Sequence, residues 1–370
     1  MGEINRRQLL ELAAGAAAPH GLFVAEDDGV IPARDTLDHI DTRIGQITVA
    51  YERAPIEATA VYLRRHLPVV RSSLADGGHR AEVERRLHRA AGRLCALWAT
   101  TRHDLGDDAG AGQAFLDAFE HAGQAQDRSL QAWVRLWQSS LARKGGRLDN
   151  ALQLARDAAA HVGDHSPAAG RAAAIEARVL GAMGERAGVH LAINRAWRIE
   201  GLLTREQKGD PGFSIDTLHA LTLAELSSAA YIELGQTDAA RVYTEASIRQ
   251  LDLVGATGLQ SMARIAAATV ELHHGDVDRA ETLVTESLDI SARRPNAVVS
   301  RRTDRFLAEA HRRVGRRPAT EAIAARLDSW RPPAARPGRL RGPDPPTPGP
   351  SDLGKPGDVR SGRLVRSTAG

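Results

Sequence analysis

From Asp35 onward apolar positions recur with a helical period: Leu37, Ile40, Ile44, Ile47 and Tyr51 follow at steps of 3, 4, 3 and 4 and line one face of a first helix. A second helix opens near Pro55, where a missing N–H costs nothing. It carries Ile56, Ala60, Leu63, Leu67, Val70 and Leu74 on one stripe. Pro68 is expected to bend this helix and Asp76-Gly77-Gly78 to stop it.

After this pair the pattern repeats. Glycines between apolar helical runs fall at Gly106, Gly146, Gly184, Gly235, Gly275 and Gly315, at intervals of 40, 38, 51, 40 and 40. A period of that length predicts stacked helix pairs, a solenoid. Seven residues before each glycine stand Ala99, Ser139, Ala177, Ser228, Ala268 and Ala308, all small; nine before stand Leu97, Trp137, Ile175, Leu226, Ala266 and Phe306, all apolar. Small residues let antiparallel helices approach, and the apolar column is the stripe they bury. Three turns are nearly alike: Gly146-Arg147-Leu148-Asp149-Asn150-Ala151, Gly235-Gln236-Thr237-Asp238-Ala239-Ala240 and Gly275-Asp276-Val277-Asp278-Arg279-Ala280. Glycine supplies the left-handed residue that closes the first helix, aspartate complements the positive start of the second, and alanine sits in its first tight contact.

Composition supports helices. Hydrophobic residues make up 42% of the 370 but aromatics only 4%, too few for a β-sandwich core or a base-stacking platform. Cys95 is the single cysteine, which excludes an intramolecular disulfide, a thiolate zinc cage and a Cys-x-x-Cys redox pair. It reads as a small core residue. No apolar run reaches the length of a membrane helix, so no membrane association is expected.

The net charge of +3 suggests nucleic acid until it is located. Residues 331–370 hold eight Arg or Lys and three Asp, so residues 1–330 are net negative, and no direct nucleic-acid binding is expected of this chain. The same 40 residues hold nine of the 17 prolines and are expected to form a disordered tail. Only Lys144, Lys208 and Lys355 are lysines.

The repeat unit resembles the tetratricopeptide repeat, on the small residue seven before each glycine, the alanine five after it, and Tyr231 four before Gly235. The resemblance covers about residues 82–330, with a period near 40 in place of the family's 34 and with Val189 and Thr320 at two of the alanine positions. It implies an all-α fold: a right-handed α-solenoid of about six antiparallel helix pairs. A helical pair over 35–81, a linker-like segment over 1–34 and the tail over 331–370 complete the expected organisation. The opening Asn5-Arg6-Arg7-Gln8-Leu9-Leu10-Glu11-Leu12-Ala13 resembles the segment that joins a Cro-like helix-turn-helix to a repeat domain in actinomycete regulators. Too few residues precede the first helix to hold that DNA reader. The expectation is the linker and sensor half of such a regulator, cytoplasmic and able to form a homodimer. Arg6-Arg7 before an apolar stretch ending in Ala16-Ala17-Ala18 also imitates a twin-arginine export signal, which would make the chain an envelope scaffold.

No nucleotide loop, nucleophile elbow or zinc-binding His-Glu-x-x-His occurs, so the chain is not expected to be an enzyme, and neither a cofactor nor a metal is expected. Function is expected in the groove. In the tetratricopeptide family the first helices line a concave surface at 13, 10, 6 and 3 residues before the glycine. Carried over, those positions include Arg93, Thr100 and His103, then Trp133, Leu136 and Arg143, then Arg171 and Arg178, then Glu225, then Met262. A basic end and an apolar end suit an extended peptide or protein ligand, its carboxylates taken by arginines that open water screens from one another. The long 51-residue interval places an insertion near 204–216, with Phe213 as the apolar tip of a lid or of a surface loop.

Overall fold

The computed structural model describes residues 33–330, and all its regular elements are helices. The segments expected to be a linker (1–34) and a tail (331–370) fall almost wholly outside the described residues. The first pair is α1 (Ala33–Ala50) and α2 (Ile56–Asp76), which continues through Pro68. Then follow α3 (Ala81–Asp104) with α4 (Asp108–Gln124), α5 (Arg128–Lys144) with α6 (Leu148–Ala160), and α7 (Pro167–Met183) with α8 (Arg186–Leu202). A one-turn helix, α9 (Arg205–Lys208), interrupts the long connection. The last pairs are α10 (Ala220–Glu233) with α11 (Thr237–Val254), α12 (Thr257–His274) with α13 (Val277–Ser291), and α14 (Ala297–Val314) with α15 (Pro318–Trp330).

The periodic glycines do what the turns demand. All six have φ between 73° and 89°, the left-handed region that a side chain disfavours. Five residues on, Ala111, Ala151, Val189, Ala240, Ala280 and Thr320 are each fully buried where the second helix begins against the first. Asp149, Asp238 and Asp278 lie in the first turns of their helices, and Asp107, Asp127 and Asp276 cap helix starts by accepting backbone N–H bonds. The small column is buried from Ala99 to Ala268, but Ala308 is exposed. The terminal pair packs instead through Thr303, Phe306 and Ala310.

Helices α3, α5, α7, α10, α12 and α14 form an inner row in which each touches the next. The row also closes, because α14 returns to pack against α3. At that seam Gly106 meets Ala297 so closely that a Cβ on the glycine would lie 3.4 Å from the alanine Cβ. The N-terminal pair belongs to the same body: Leu37, Ile40 and Leu63 share one core with Leu94, Phe115 and Trp133. Ile215, from the 203–219 connection, is buried in it, and Phe213 packs against it. The solenoid is thus a closed ring of helix pairs with an inner face, rather than an open superhelix.

Candidate functional site

The inner helices enclose a cavity of about 660 Å³. Leu136, Arg143, Arg171, Arg178, Glu225 and Met262 all line it, together with Phe213, Thr100 and His103. Two of the groove residues named from the sequence do not. Trp133 is buried beneath the wall, where its Nε1 donates to the carbonyl of Ser214 at 3.1 Å. Arg93 lies outside, held bidentately by Asp216 at 2.7 and 2.8 Å. Both residues anchor the 203–219 connection. Phe213 is therefore no exposed tip: it turns inward, its ring 4.4 Å from that of Tyr51 and 5.8 Å from that of Trp133.

Residues outside the repeat register border the cavity. In the turn after α1, Tyr51 donates its hydroxyl to Asp104 at 3.0 Å, and the Glu52 carboxylate accepts backbone N–H bonds from Phe213 and Gly258. From the connection before α14, Arg294 donates to the carbonyl of Ala54 at 3.0 Å and to Asp104 at 3.1 Å, with its guanidinium over the Tyr51 ring. Arg301 of α14 donates to Asp108 at 2.8 Å and to the carbonyl of His103 at 3.2 Å. These contacts join the last pairs to the first ones, and the expected concave groove becomes the lumen of a ring, partly open to solvent.

The chamber is electropositive. Seven arginines and Lys144 face five carboxylates in its lining. Arg143 and Arg178 share one oxygen of Glu233 at 2.7 and 2.9 Å, and Arg302 pairs with Glu225 at 2.7 Å. Among the described residues Arg171 donates only to carbonyls, of Thr217 at 2.6 Å and Ser214 at 3.5 Å. The expectation of water-screened arginines fails here, because the Arg143 and Arg178 side chains keep only 8% and 12% of their surface. Crowding by Arg178 and then burial push Arg143 down to about 9, and burial pushes Arg171 down to about 10. Both remain cations at neutral pH. Burial opposes ionisation of Glu225, yet Arg302 and Arg178 prevail and hold it below the ordinary carboxylate range.

One wall carries a hydrogen-bonded chain. His103 Nδ1 lies 2.6 Å from Asp108 Oδ1, and its Nε2 lies 2.7 Å from Lys144 Nζ. With the carboxylate accepting from Nδ1–H, Nε2 is left to accept from the lysine. His103 is buried, and burial lowers its pKa further below neutral. Lys144 keeps solvent access although protein surrounds it on most sides, as befits a side chain facing a lumen. Burial, aided by Arg301, pushes its amine down to about 7.

An apolar surface completes the lining, with Leu136, Ile175, Leu226, Leu259, Met262 and Val299. The described residues hold no cluster of three or more metal-ligating side chains and no helix long and apolar enough to cross a membrane. Arg302 and Arg305 stand 13 and 10 residues before Gly315, so the spacing used for the earlier repeats reaches them once it is extended to the last. Tyr51, Glu52 and Arg294 have no such signal.

No family model matches the chain, and no curated protein matches it. Among solved structures it is similar to the crystal structure of BtubC (BKLC) from P. vanneervenii, at 18% identity and a TM-score of 0.44. The match covers 62% of this chain and 91% of that one.

Proposed function

We propose that the chain is a non-enzymatic binding module whose closed ring takes a compact ligand with an anionic group and an apolar body. The observation that carries this reading is the excess of cations lining one half-open lumen, with Arg171 and Lys144 in contact with no carboxylate among the described residues. Cations crowded together and partly withdrawn from water repel one another, and a bound anion relieves that repulsion. The 660 Å³ volume lies within the range of small-ligand sites. The ring seam favours a small molecule or a short acidic peptide over the long extended peptide an open groove would take. Occupancy of the chamber is the signal such a module would pass on in the sensor half of a regulator. That wider role is supported by the resemblance of the Asn5–Ala13 segment.

The probe that tests the reading is 8-anilinonaphthalene-1-sulfonate, an anion on an apolar body. It should bind the folded chain saturably and weaken with added salt. Arg305 lines the lumen, is exposed and among the described residues donates only to a backbone carbonyl, so Arg305→Glu should weaken binding about tenfold without unfolding the protein. Arg249→Glu, on the exposed side of α11, is the control. Equal effects of the two reversals would overturn the assignment of the chamber as the site.

A further inference from the structure

Amines that capture carbonyl compounds need to be unprotonated at working pH and reachable by ligand, and a desolvated site beside other cations supplies the first condition. Lys144 meets both. It lines the lumen and is exposed to it, and Arg301, Arg302 and Arg178 place further positive charge near it, which disfavours its ammonium form. It also has a proton acceptor, since Nε2 of His103 stands 2.7 Å from its amine and Asp108 braces the far side of the ring. Arg301 in turn fixes Asp108, so each member of the chain is held by another. A lysine serving only as a cation for anionic ligands would have no need of an imidazole aimed at its amine.

We propose that Lys144 forms an imine with a small aldehyde or 2-oxo acid whose phosphate or carboxylate is held by the neighbouring arginines. His103 takes a proton from the ammonium, the freed lone pair attacks the carbonyl carbon, and a C–N bond forms as the carbonyl π electrons move to oxygen. His103 returns its proton to the oxygen, which takes a second proton from the nitrogen and leaves as water, breaking the C–O bond. Ammonium and carbonyl thus become a protonated imine and one water, with no electron acceptor required. The chamber would hold such a ligand covalently and reversibly. This inference rests on the anionic-ligand reading and narrows it to carbonyl compounds.

The chain's few lysines make the test direct. Lys208 pairs with Glu200 at 3.0 Å away from the chamber, and Lys355 lies outside the described residues. The full chain is incubated at neutral pH with pyridoxal 5′-phosphate, glyoxylate or uncharged benzaldehyde, reduced with cyanoborohydride, and its adducts are mapped by peptide mass spectrometry. Lys144 should be labelled about tenfold faster than Lys208 or the amino terminus by an anionic aldehyde, and benzaldehyde should lag by a similar factor. Labelling by only one anionic arm would support the proposal and identify phosphate or carboxylate as the group held. Lys144→Arg keeps the charge and should abolish the adduct; Lys144→Met is a second variant should the arginine disturb folding.

Adducts spread evenly over the amines, or equal labelling by benzaldehyde, would overturn the proposal. Pyridoxine 5′-phosphate and glycolate, which lack the carbonyl, separate the two readings. If they displace 8-anilinonaphthalene-1-sulfonate while no adduct forms on Lys144, the imine falls and the anionic-ligand reading stands. If neither the naphthalenesulfonate nor these compounds bind, both fall.

Discussion

Replacing Arg294 by Met tests whether ring closure is part of the cooperative fold. The guanidinium donates at 3.0 Å to the Ala54 carbonyl and at 3.1 Å to Asp104, and lies over the Tyr51 ring. Methionine preserves much of the apolar stem, so packing loss is small and the charge-dependent contacts dominate. The two side chains keep 12% and 11% of their surface, which leaves little solvent screening. Breaking one partner out of a pair buried to this degree costs about 3–5 kcal/mol, chiefly because the other charge stays behind. Here Asp104 retains the Tyr51 hydroxyl as a donor, which places the expected loss near the lower figure, about 3 kcal/mol.

Urea unfolding measures that loss, and a double-mutant cycle with Asp104→Asn isolates its cause. The double variant should be less destabilised than the two single variants together, by about 1–3 kcal/mol, because the amide removes the stranded charge. Amide hydrogen exchange should accelerate in residues 51–55 and 292–296, the two sides of the seam, before it accelerates in the repeats. An Arg294→Met protein within about 0.5 kcal/mol of wild type, with exchange at the seam unchanged, would refute the view that closure is energetically coupled to the fold.

Three further outcomes follow from the same geometry. Gly181→Ala should destabilise by about 1–3 kcal/mol in urea, since a Cβ there would stand 2.6 Å from the Ala230 carbonyl oxygen; Gly201→Ala, on a helix face with nothing within 4 Å, should be neutral or stabilising by up to about 1 kcal/mol. Phe213→Ala should cost about 1–2 kcal/mol by removing half-buried contacts with Tyr51 and Trp133, whereas a freely exposed loop tip would show no change. Cyanoborohydride labelling of Lys144 should rise as pH passes through about 7, because only the deprotonated amine attacks and its pKa is lowered from 10.5; labelling that rises only near 10 would show an ordinary lysine.

What could be read from the sequence is what repeats. Left-handed glycines and the buried residue five places on are local demands, made once per turn, and they recur from Gly106 with Ala111 to Gly315 with Thr320. Carrying one register along the first helices reaches Leu136, Arg143, Arg171, Arg178, Glu225 and Met262 in the chamber lining, because inner positions of stacked helices share a face. Ring closure is a different kind of property. It depends on a small rotation accumulated over successive pairs, and no single repeat encodes its sum. Hence Glu52 and Arg294, which border the lumen from turns outside the period, carry no mark in the sequence, Tyr51 is marked only as the last apolar position of the first stripe, and the arginines read as water-screened are largely buried.

The same limit explains Lys144. Arg143 occupies the inner register position three before Gly146, and the next residue on a helix points about 100° away. Register alone therefore assigns Lys144 to another face. Its four-carbon stem at the end of α5 allows the amine to reach back into the lumen, where it meets His103, which stands three before Gly106 and so belongs to the inner register of the preceding repeat. The meeting joins one residue that the periodicity places and one that only side-chain length places. Lys144→Ala should accordingly leave the ring intact while freeing His103 Nε2, whereas His103→Ala should also strip Asp108 of its Nδ1–H donor and leave Arg301 as its remaining direct partner among the described residues. Of the two, the His103 variant should be the less stable in thermal unfolding, since it leaves a space in a buried wall as well as an altered carboxylate. The reverse order would mean that the lysine supports the wall and the imidazole only lines it.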